Sequence, residues 1–152
     1  MLNTEDKFEK INIKKLKENA ILPTVGSDKS AGWDLYACLD EKVTVQPGET
    51  VKIGTGLAME LPDLCFGGIF ARSGLATKKG LAPANKVGVC DSDYRGEYIV
   101  ALHNHSNTEQ VVEPGERIAQ LIVIPYIPVK FNEVEELSET DRGSGGFGST
   151  GK

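Results

Sequence analysis

Long apolar runs, paired cysteines and a basic excess are all missing from this sequence of 152 residues. No apolar stretch approaches the ~18 residues of a membrane-spanning helix. The 17 lysines and arginines against 22 aspartates and glutamates leave a net charge of −5, whereas nonspecific binding to nucleic acid depends on a basic excess. The segment from Met1 to Lys10 is charged, unlike a secretory signal. We therefore expect a soluble, unprocessed protein whose partners include neither a membrane nor nucleic acid.

Cysteine and histidine are scarce. The three cysteines, Cys38, Cys65 and Cys90, are odd in number and lack CxxC spacing, which favours free thiols in a reducing compartment and a cytoplasmic location. The only histidines are His103 and His105. A zinc site needs three or four protein ligands, so a zinc protein is not expected.

Glycine, in contrast, is abundant. The chain has 17 glycines, about 11% against an average near ~7%, and they separate short β-branched segments that are typical of strands. Such segments lie at residues 11–13, 43–45, 51–53, 87–90, 98–102 and 121–124. The length suits one domain, and the pattern predicts an all-β fold, a jelly-roll-like sandwich or barrel.

Two similar stretches and one short helix complete the predicted architecture. The sequences VTVQPGE, ending at Glu49, and VVEPGE, ending at Glu116, each predict a hairpin with a Pro-Gly turn, at equivalent positions of a double-layered sheet. Ser73 is expected to cap a helix of one or two turns that Gly80 terminates.

Carboxylates are concentrated between two of the predicted strands. Residues 91–97, DSDYRGE, hold three of them, but Arg95 and Leu102 stand where a calcium loop needs oxygen ligands. The segment is therefore a charged turn or the site of a general base. Asp34 lies among apolar neighbours, and we expect its carboxylate to accept hydrogen bonds from backbone or an arginine.

The C-terminal tail is rich in glycine. It matches GxGxxG twice between Gly143 and Gly151, but a dinucleotide-binding motif must follow a strand and open a helix, and a P-loop needs Ser or Thr after its Lys. Small residues beside Arg142 can still direct backbone N–H groups at an anion. On composition alone, a flexible, solubilising end is favoured over such an anion-binding role.

Five segments in this order resemble the five motifs of the trimeric deoxyuridine triphosphatases (dUTPases). They are AGWDLYA at 31–37, ARSG at 71–74, GVCDSDYRGE at 88–97, RIAQ at 117–120 and RGSGGFGSTG at 142–151. The resemblance implies a jelly-roll-like fold, a homotrimer with active sites at subunit interfaces, and Mg²⁺-dependent hydrolysis of dUTP to dUMP and pyrophosphate. Such a reaction supplies dUMP for thymidylate synthesis and limits uracil in DNA.

The resemblance also implies roles for individual residues. Asp91 would activate the water that attacks the α-phosphorus, Tyr94 would pack on deoxyribose and Phe147 would stack on uracil. Magnesium would be held mainly by substrate phosphates and water, with Asp34 near it through water. The expected substrate-binding residues are Arg72, Ser73, Gly74, Asn85, Gly88, Val89, Cys90, Tyr94, Ile99, Gln120, Arg142, Phe147, Gly148 and Ser149.

Within these roles, Arg72, Ser73, Gly74, Gln120 and the tail would hold phosphates, while Asn85 and the backbone of residues 88–99 would bind uracil. Residues 1–140 would form the β domain and residues 141–152 an arm that closes over the site. Cys90 stands where such proteins usually carry an aliphatic residue, and its side chain is expected to point away from the ligand.

Two alternatives accompany this interpretation. The dCTP deaminases share the fold but lack the Gly-Phe-Gly-Ser-Thr tail that this chain carries. A nucleotide-sensing regulatory module would bind dUTP and change its affinity for a protein partner.

Overall fold

Eleven β-strands and one short helix form the part of the chain that the computed structural model describes, residues 10–146. The strands are β1 (Asn12–Lys15), β2 (Trp33–Tyr36), β3 (Val43–Val45), β4 (Thr50–Gly54), β5 (Leu57–Glu60), β6 (Cys65–Phe70), β7 (Leu81–Pro83), β8 (Gly88–Cys90), β9 (Ile99–Asn104), β10 (Gln110–Val112) and β11 (Arg117–Pro125), and the helix is α1 (Ser73–Lys79).

The strands form two larger antiparallel sheets and two strand pairs. One sheet has the order β2-β11-β6-β8 and the other the order β4-β9-β7, while β1 pairs with β5 and β3 with β10. One core lies between the layers and includes Leu35 and Leu121 from the first sheet and Ile53 and Leu102 from the second. The predicted β-sandwich is confirmed.

The two Pro-Gly segments turn as predicted but do not form hairpins. Gly48 and Gly115 have φ values of +75° and +73°, the left-handed conformation that glycine adopts most easily. The strands on either side of each turn belong to different sheets, because β3 and β10 pair with each other while β4 joins β9 and β11 joins β2 and β6. The two segments are therefore related in the fold, but the hairpin prediction was wrong.

The helix occupies the predicted segment with a different start. Arg72, in an extended conformation, is the N-cap residue and makes no side-chain capping hydrogen bond, so Ser73 is the first helical residue and not the cap. Gly80 ends the helix at φ +66°, as predicted. Leu75 is buried in the core, so tertiary packing holds this seven-residue helix in place.

The cysteines carry no cross-links. All three are free, as their odd number and spacing predict. Within residues 10–146 no helix has the length and apolar character needed to cross a bilayer.

Candidate active site

A cavity of about 240 Å³ opens between the end of β8 and the start of β9. Its wall consists of Val89, Cys90, Asp91, Tyr94, Glu97, Tyr98 and Ile99. Several of the residues proposed from the sequence to bind the base and sugar thus lie around one space. Val89 is 63% exposed and Ile99 45%, so two large apolar side chains of the wall are accessible to solvent.

The loop from Asp91 to Glu97 forms one side of this cavity. Asp91 is exposed, and its backbone carbonyl accepts a hydrogen bond from the Tyr94 N–H at 3.1 Å. The Tyr94 hydroxyl donates to the Glu97 carbonyl at 3.1 Å. Gly96 lies under the Tyr94 ring, where an added Cβ would come within 2.9 Å of its Cε2 atom. The loop therefore places an exposed carboxylate and an aromatic ring at the same cavity.

Asn85 lies just before β8, in a tight turn. The Val87 N–H donates to the Asn85 carbonyl at 2.7 Å, and Lys86 has φ +66°. A Cβ on Gly88 would lie 3.4 Å from Asn85 Nδ2 and 3.2 Å from Ile69 Cβ. Gly88 thus allows β8 to pack closely on β6 while the Asn85 amide stays exposed beside it.

A second group of predicted residues surrounds Asp34. Arg72 Nε donates to Asp34 Oδ1 at 2.7 Å and its terminal nitrogen to Oδ2 at 3.4 Å, while Arg117 donates to Oδ2 at 3.3 Å. The Asp34 side chain is 15% exposed. The expected arginine partner is confirmed. Arg117 is a second partner that could not be assigned from the sequence, because it lies 83 positions away.

Gln120 and Ser73 belong to this second group. Gln120 lies opposite Asp34 and Phe70 in the sheet, and its amide donates to the Ala71 carbonyl at 2.8 Å, which fixes the chain just before Arg72. Ser73 is exposed in the first turn of α1, followed by Gly74, where an added Cβ would meet nothing within 4 Å. Guanidinium, hydroxyl and open backbone are groups suited to phosphate oxygens.

The two groups lie toward opposite ends of β6. Cys90 pairs with Gly67, and Asp91 follows it, whereas Arg72 follows the far end of β6 at Phe70. Phe70 lies three residue steps after Gly67 along the strand, which corresponds to about 10 Å. Within one chain, the cavity with Asp91 and the cluster around Arg72 are therefore separate.

The tail residues fall partly outside the described part. Arg142 is exposed, and its Nε donates to the Gly145 carbonyl at 2.9 Å within a turn. Phe147, Gly148 and Ser149 lie outside the described residues, and their proposed roles stay predictions.

Cys90 and Tyr98 form the inner wall of the cavity. Cys90 packs against the core, and burial, followed by the nearby Asp91 carboxylate, raises the pKa of its thiol. Tyr98 is fully buried, and among the described residues its hydroxyl is the one buried side-chain polar atom without a hydrogen-bond partner. Burial is the main cause that raises the pKa of Tyr98 to about 12. The sequence pattern placed Tyr98 in a strand, whereas β9 begins one residue later, at Ile99.

The acidic side chains do not assemble a metal site. Within residues 10–146 no three histidine, cysteine or acidic residues come together as ligands. The Asp34 carboxylate is already bonded to two arginines. This donor set suits a metal that is held mainly by phosphate oxygens and water, as Mg²⁺ often is.

Comparison with known proteins identifies the family of this chain. The family model for dUTPases matches residues 18–151. The chain belongs to the dUTPase family. Two relatives named deoxyuridine 5'-triphosphate nucleotidohydrolase support this. The one from Desulfitobacterium hafniense (strain DSM 10664 / DCB-2) is 53% identical over 86% of this chain and 87% of the relative. The one from Burkholderia cenocepacia is 50% identical over 86% of this chain and 89% of the relative.

Solved structures give the same result for the fold. The dUTPase of Staphylococcus bacteriophage 80alpha, solved with dUPNHPP, matches with a TM-score of 0.86 and 27% identity over 95% of this chain and all of the phage chain. The resemblance drawn from the five sequence motifs and the predicted dUTPase-like β fold are both confirmed.

Proposed function

We propose that this chain hydrolyses dUTP to dUMP and pyrophosphate. The observation that carries the proposal is the cavity between β8 and β9, where the exposed Asp91 carboxylate and the Tyr94 ring share one wall. Family membership supplies the substrate, since the matched relatives are named for the hydrolysis of deoxyuridine 5'-triphosphate.

Asp91 is proposed as the general base. Within the described residues its carboxylate accepts no side-chain or backbone hydrogen bond, so both oxygens are available to a water molecule. A base placed in this way contributes about 10²–10⁴-fold to a rate. The water that it activates attacks the α-phosphorus, the bond to the bridging oxygen breaks, and pyrophosphate leaves.

Selection of the base and sugar is proposed to lie in the same cavity. The backbone of residues 88–99 and the Asn85 amide present fixed donors and acceptors, and uracil offers an N–H and a carbonyl where cytosine offers a bare nitrogen and an amino group. A wrong base leaves those groups unpaired, which is costly in a desolvated site. The Tyr94 ring packs on the deoxyribose and leaves no space for a 2′-hydroxyl.

The phosphates are proposed to bind the cluster around Arg72, with Ser73, Gln120 and the tail from Arg142. Asp34 orients Arg72 through its 2.7 Å hydrogen bond. Mg²⁺, held mainly by the substrate phosphates and water, would reduce the negative charge of the phosphates.

We also propose that the active enzyme is a homotrimer with sites at subunit interfaces. Gly67, the partner of Cys90, and Phe70, near Arg72, are about 10 Å apart along β6. This separation of Asp91 from Arg72 in one chain favours a site that a neighbouring copy completes. Residues after β11 support assembly, because Phe131 is 99% exposed, Leu137 87% and Ile127 84%. An extended arm that exposes such side chains is stabilised by packing on another copy.

The test is pyrophosphate release from dUTP, dCTP, dTTP and UTP, each with and without Mg²⁺. We expect magnesium-dependent release from dUTP alone. Asp91→Asn should keep affinity for a nonhydrolysable dUTP analogue and lose at least about 10²-fold in kcat, whereas the control Asp63→Asn, at an exposed site outside the cavity wall, should retain full activity. Release from all four substrates alike, or ammonia release from dCTP, would contradict the proposal.

A further inference from the structure

Glu97, the last residue of the third motif, ends the loop beside the cavity, and its side chain makes a contact that the proposed reaction does not use. Its Oε1 accepts a hydrogen bond from the backbone N–H of Gly56 at 2.8 Å. Gly56 lies in the turn between β4 and β5, 41 positions away in the chain. The half-buried Glu97 side chain also lines the cavity. This one carboxylate therefore joins the loop from Asp91 to Glu97 to the turn between β4 and β5.

Glycines in that turn and at the end of β4 make room for the carboxylate. A Cβ on Gly54 would collide with Glu97 Oε1 and lie 3.1 Å from its Cδ atom. Gly56 has φ +67°, and a Cβ there would come within 2.8 Å of Cys38 Sγ. Larger residues at either position would displace Glu97 or the turn, so the local sequence is compatible with this contact and with few others.

The residue after Glu97 is held by the same turn. Both the N–H and the hydroxyl of Thr55 donate to the Tyr98 carbonyl, at 3.1 and 2.7 Å, and the Tyr98 N–H donates to the Leu57 carbonyl at 2.8 Å. Thr55 and Tyr98 are fully buried, so these bonds are protected from water. They fix the C-terminal end of the loop, and the Glu97 side chain adds the contact nearest the cavity.

Tyr94 connects the Glu97–Gly56 hydrogen bond to the proposed nucleotide site. Its hydroxyl donates to the Glu97 carbonyl at 3.1 Å, so the position of Glu97 determines where the Tyr94 ring stands. Gly96 lies against that ring, which leaves the Tyr94 hydroxyl and the Glu97 backbone as neighbours. A displacement of Glu97 would therefore move the group that faces the sugar.

From these contacts we propose that Glu97 is a positioning residue whose hydrogen bond to the Gly56 N–H holds Tyr94 in place and so sets the discrimination between dUTP and UTP. The proposal rests on the proposed function for its substrates. Glu97 acts as an acceptor, not as a base, because the oxygen that faces Gly56 is already committed to a backbone donor. A displacement of about 1 Å in a positioning group can cost up to 10²-fold.

Three variants at this position separate the possible roles. Glu97→Gln keeps a carbonyl acceptor, so it should stay within about twofold of the parent in kcat and in the dUTP-to-UTP ratio of kcat/KM. Glu97→Ala removes the acceptor and should raise the KM for dUTP about tenfold and lower that ratio about tenfold, with kcat changing less than threefold. Glu97→Asp, which is shorter, should show a milder form of the Ala effect and serves where the Ala variant does not fold. The exposed Glu41→Ala is the control.

A second measurement does not depend on activity. Hydrogen exchange of the Gly56 amide, without nucleotide, should be protected in the parent and in Glu97→Gln and faster in Glu97→Ala. If the parent fails to hydrolyse dUTP, the proposed function is wrong, while the exchange still tests the anchor. Loss of kcat in Glu97→Gln would show that Glu97 is catalytic. An unchanged dUTP-to-UTP ratio of kcat/KM in both Glu97→Ala and Glu97→Asp would show that the contact is only structural. Either result overturns the proposal.

Discussion

Replacement of Asp34 by asparagine tests whether this carboxylate holds the phosphate-binding arginine. The change keeps the shape of the side chain and removes its charge. It leaves one carbonyl acceptor for Arg72 Nε, now 2.7 Å from Oδ1, but turns the second oxygen, which accepts from Arg72 at 3.4 Å and Arg117 at 3.3 Å, into an NH₂ donor. At that position, the donors of Arg72 and Arg117 would then face the NH₂ donor of the asparagine, with no acceptor for either of them.

The magnitude follows from burial. The side chains of Asp34 and Arg72 are 15% and 25% exposed, and a hydrogen bond to a charged group in such a place stabilises by ~1.5–3 kcal/mol. Arg117 is 51% exposed, so solvent screening limits its pair to ~0–1 kcal/mol. Because the asparagine side chain keeps one acceptor, we expect Asp34→Asn to lower the free energy of unfolding by about 2 kcal/mol.

Substrate binding should weaken as well. With Arg72 no longer fixed, we expect the KM for dUTP to rise by about tenfold to a hundredfold, since a misplaced binding group acts on the bound phosphates directly. Urea unfolding and steady-state pyrophosphate release measure the two effects. Asp63→Asn, the same chemical change at an exposed position, is the matched control. A stability change below about 0.5 kcal/mol together with an unchanged KM would refute the reasoning.

Two further predictions concern the buried tyrosine and the shared site. Burial raises the pKa of Tyr98 to about 12, above the ordinary tyrosine value of ~10. The folded state therefore holds the hydroxyl proton more tightly than the unfolded chain does. The resulting stabilisation is complete below pH ~10 and is lost as the pH rises to about 12. Tyr98→Phe should therefore flatten the alkaline fall of the free energy of unfolding in urea titrations, and an unchanged slope would contradict it. Co-refolding equal amounts of Asp91→Asn and a chain truncated after Asp141, each inactive alone, should restore about a quarter of parent activity if base and tail come from different copies. No recovery would show that they come from the same copy.

Strand positions were predicted best where β-branched residues carry the pattern. The predicted segment 43–45 coincides with β3. Strands β4 and β11 extend beyond their predicted segments at both ends. Strands β8 and β9 overlap their predicted segments with shifted ends. β6 was missed because Gly67 and Gly68 lower strand propensity. The structure explains those glycines: a Cβ on Gly68 would come within 2.6 Å of the Phe70 ring, and one on Gly67 within 3.0 Å of Leu121.

Pairing between distant segments could not be predicted. The hairpin error at the Pro-Gly turns arose because turn geometry fixes the reversal of the chain but not the sheet that the next strand joins. The same limit applies to Arg117 at Asp34 and to Gly56 at Glu97, which are 83 and 41 positions apart. The motif order identified the family, because it contains partners such as Asp34 and Arg117, but it does not show how they meet.

The loop from Asp91 to Glu97 joins the proposed catalytic and selective groups, and its two ends are held differently. Asp91 follows β8, whose pairing with β6 fixes it, whereas Glu97 is fixed by a turn of the other sheet. Changes that loosen the β8 end should therefore act mainly on kcat, and changes at the Glu97 end mainly on KM and sugar selectivity. Because both ends are anchored to different layers of the sandwich, relative movement of the layers would affect both properties at once, and close packing of the shared core opposes such movement.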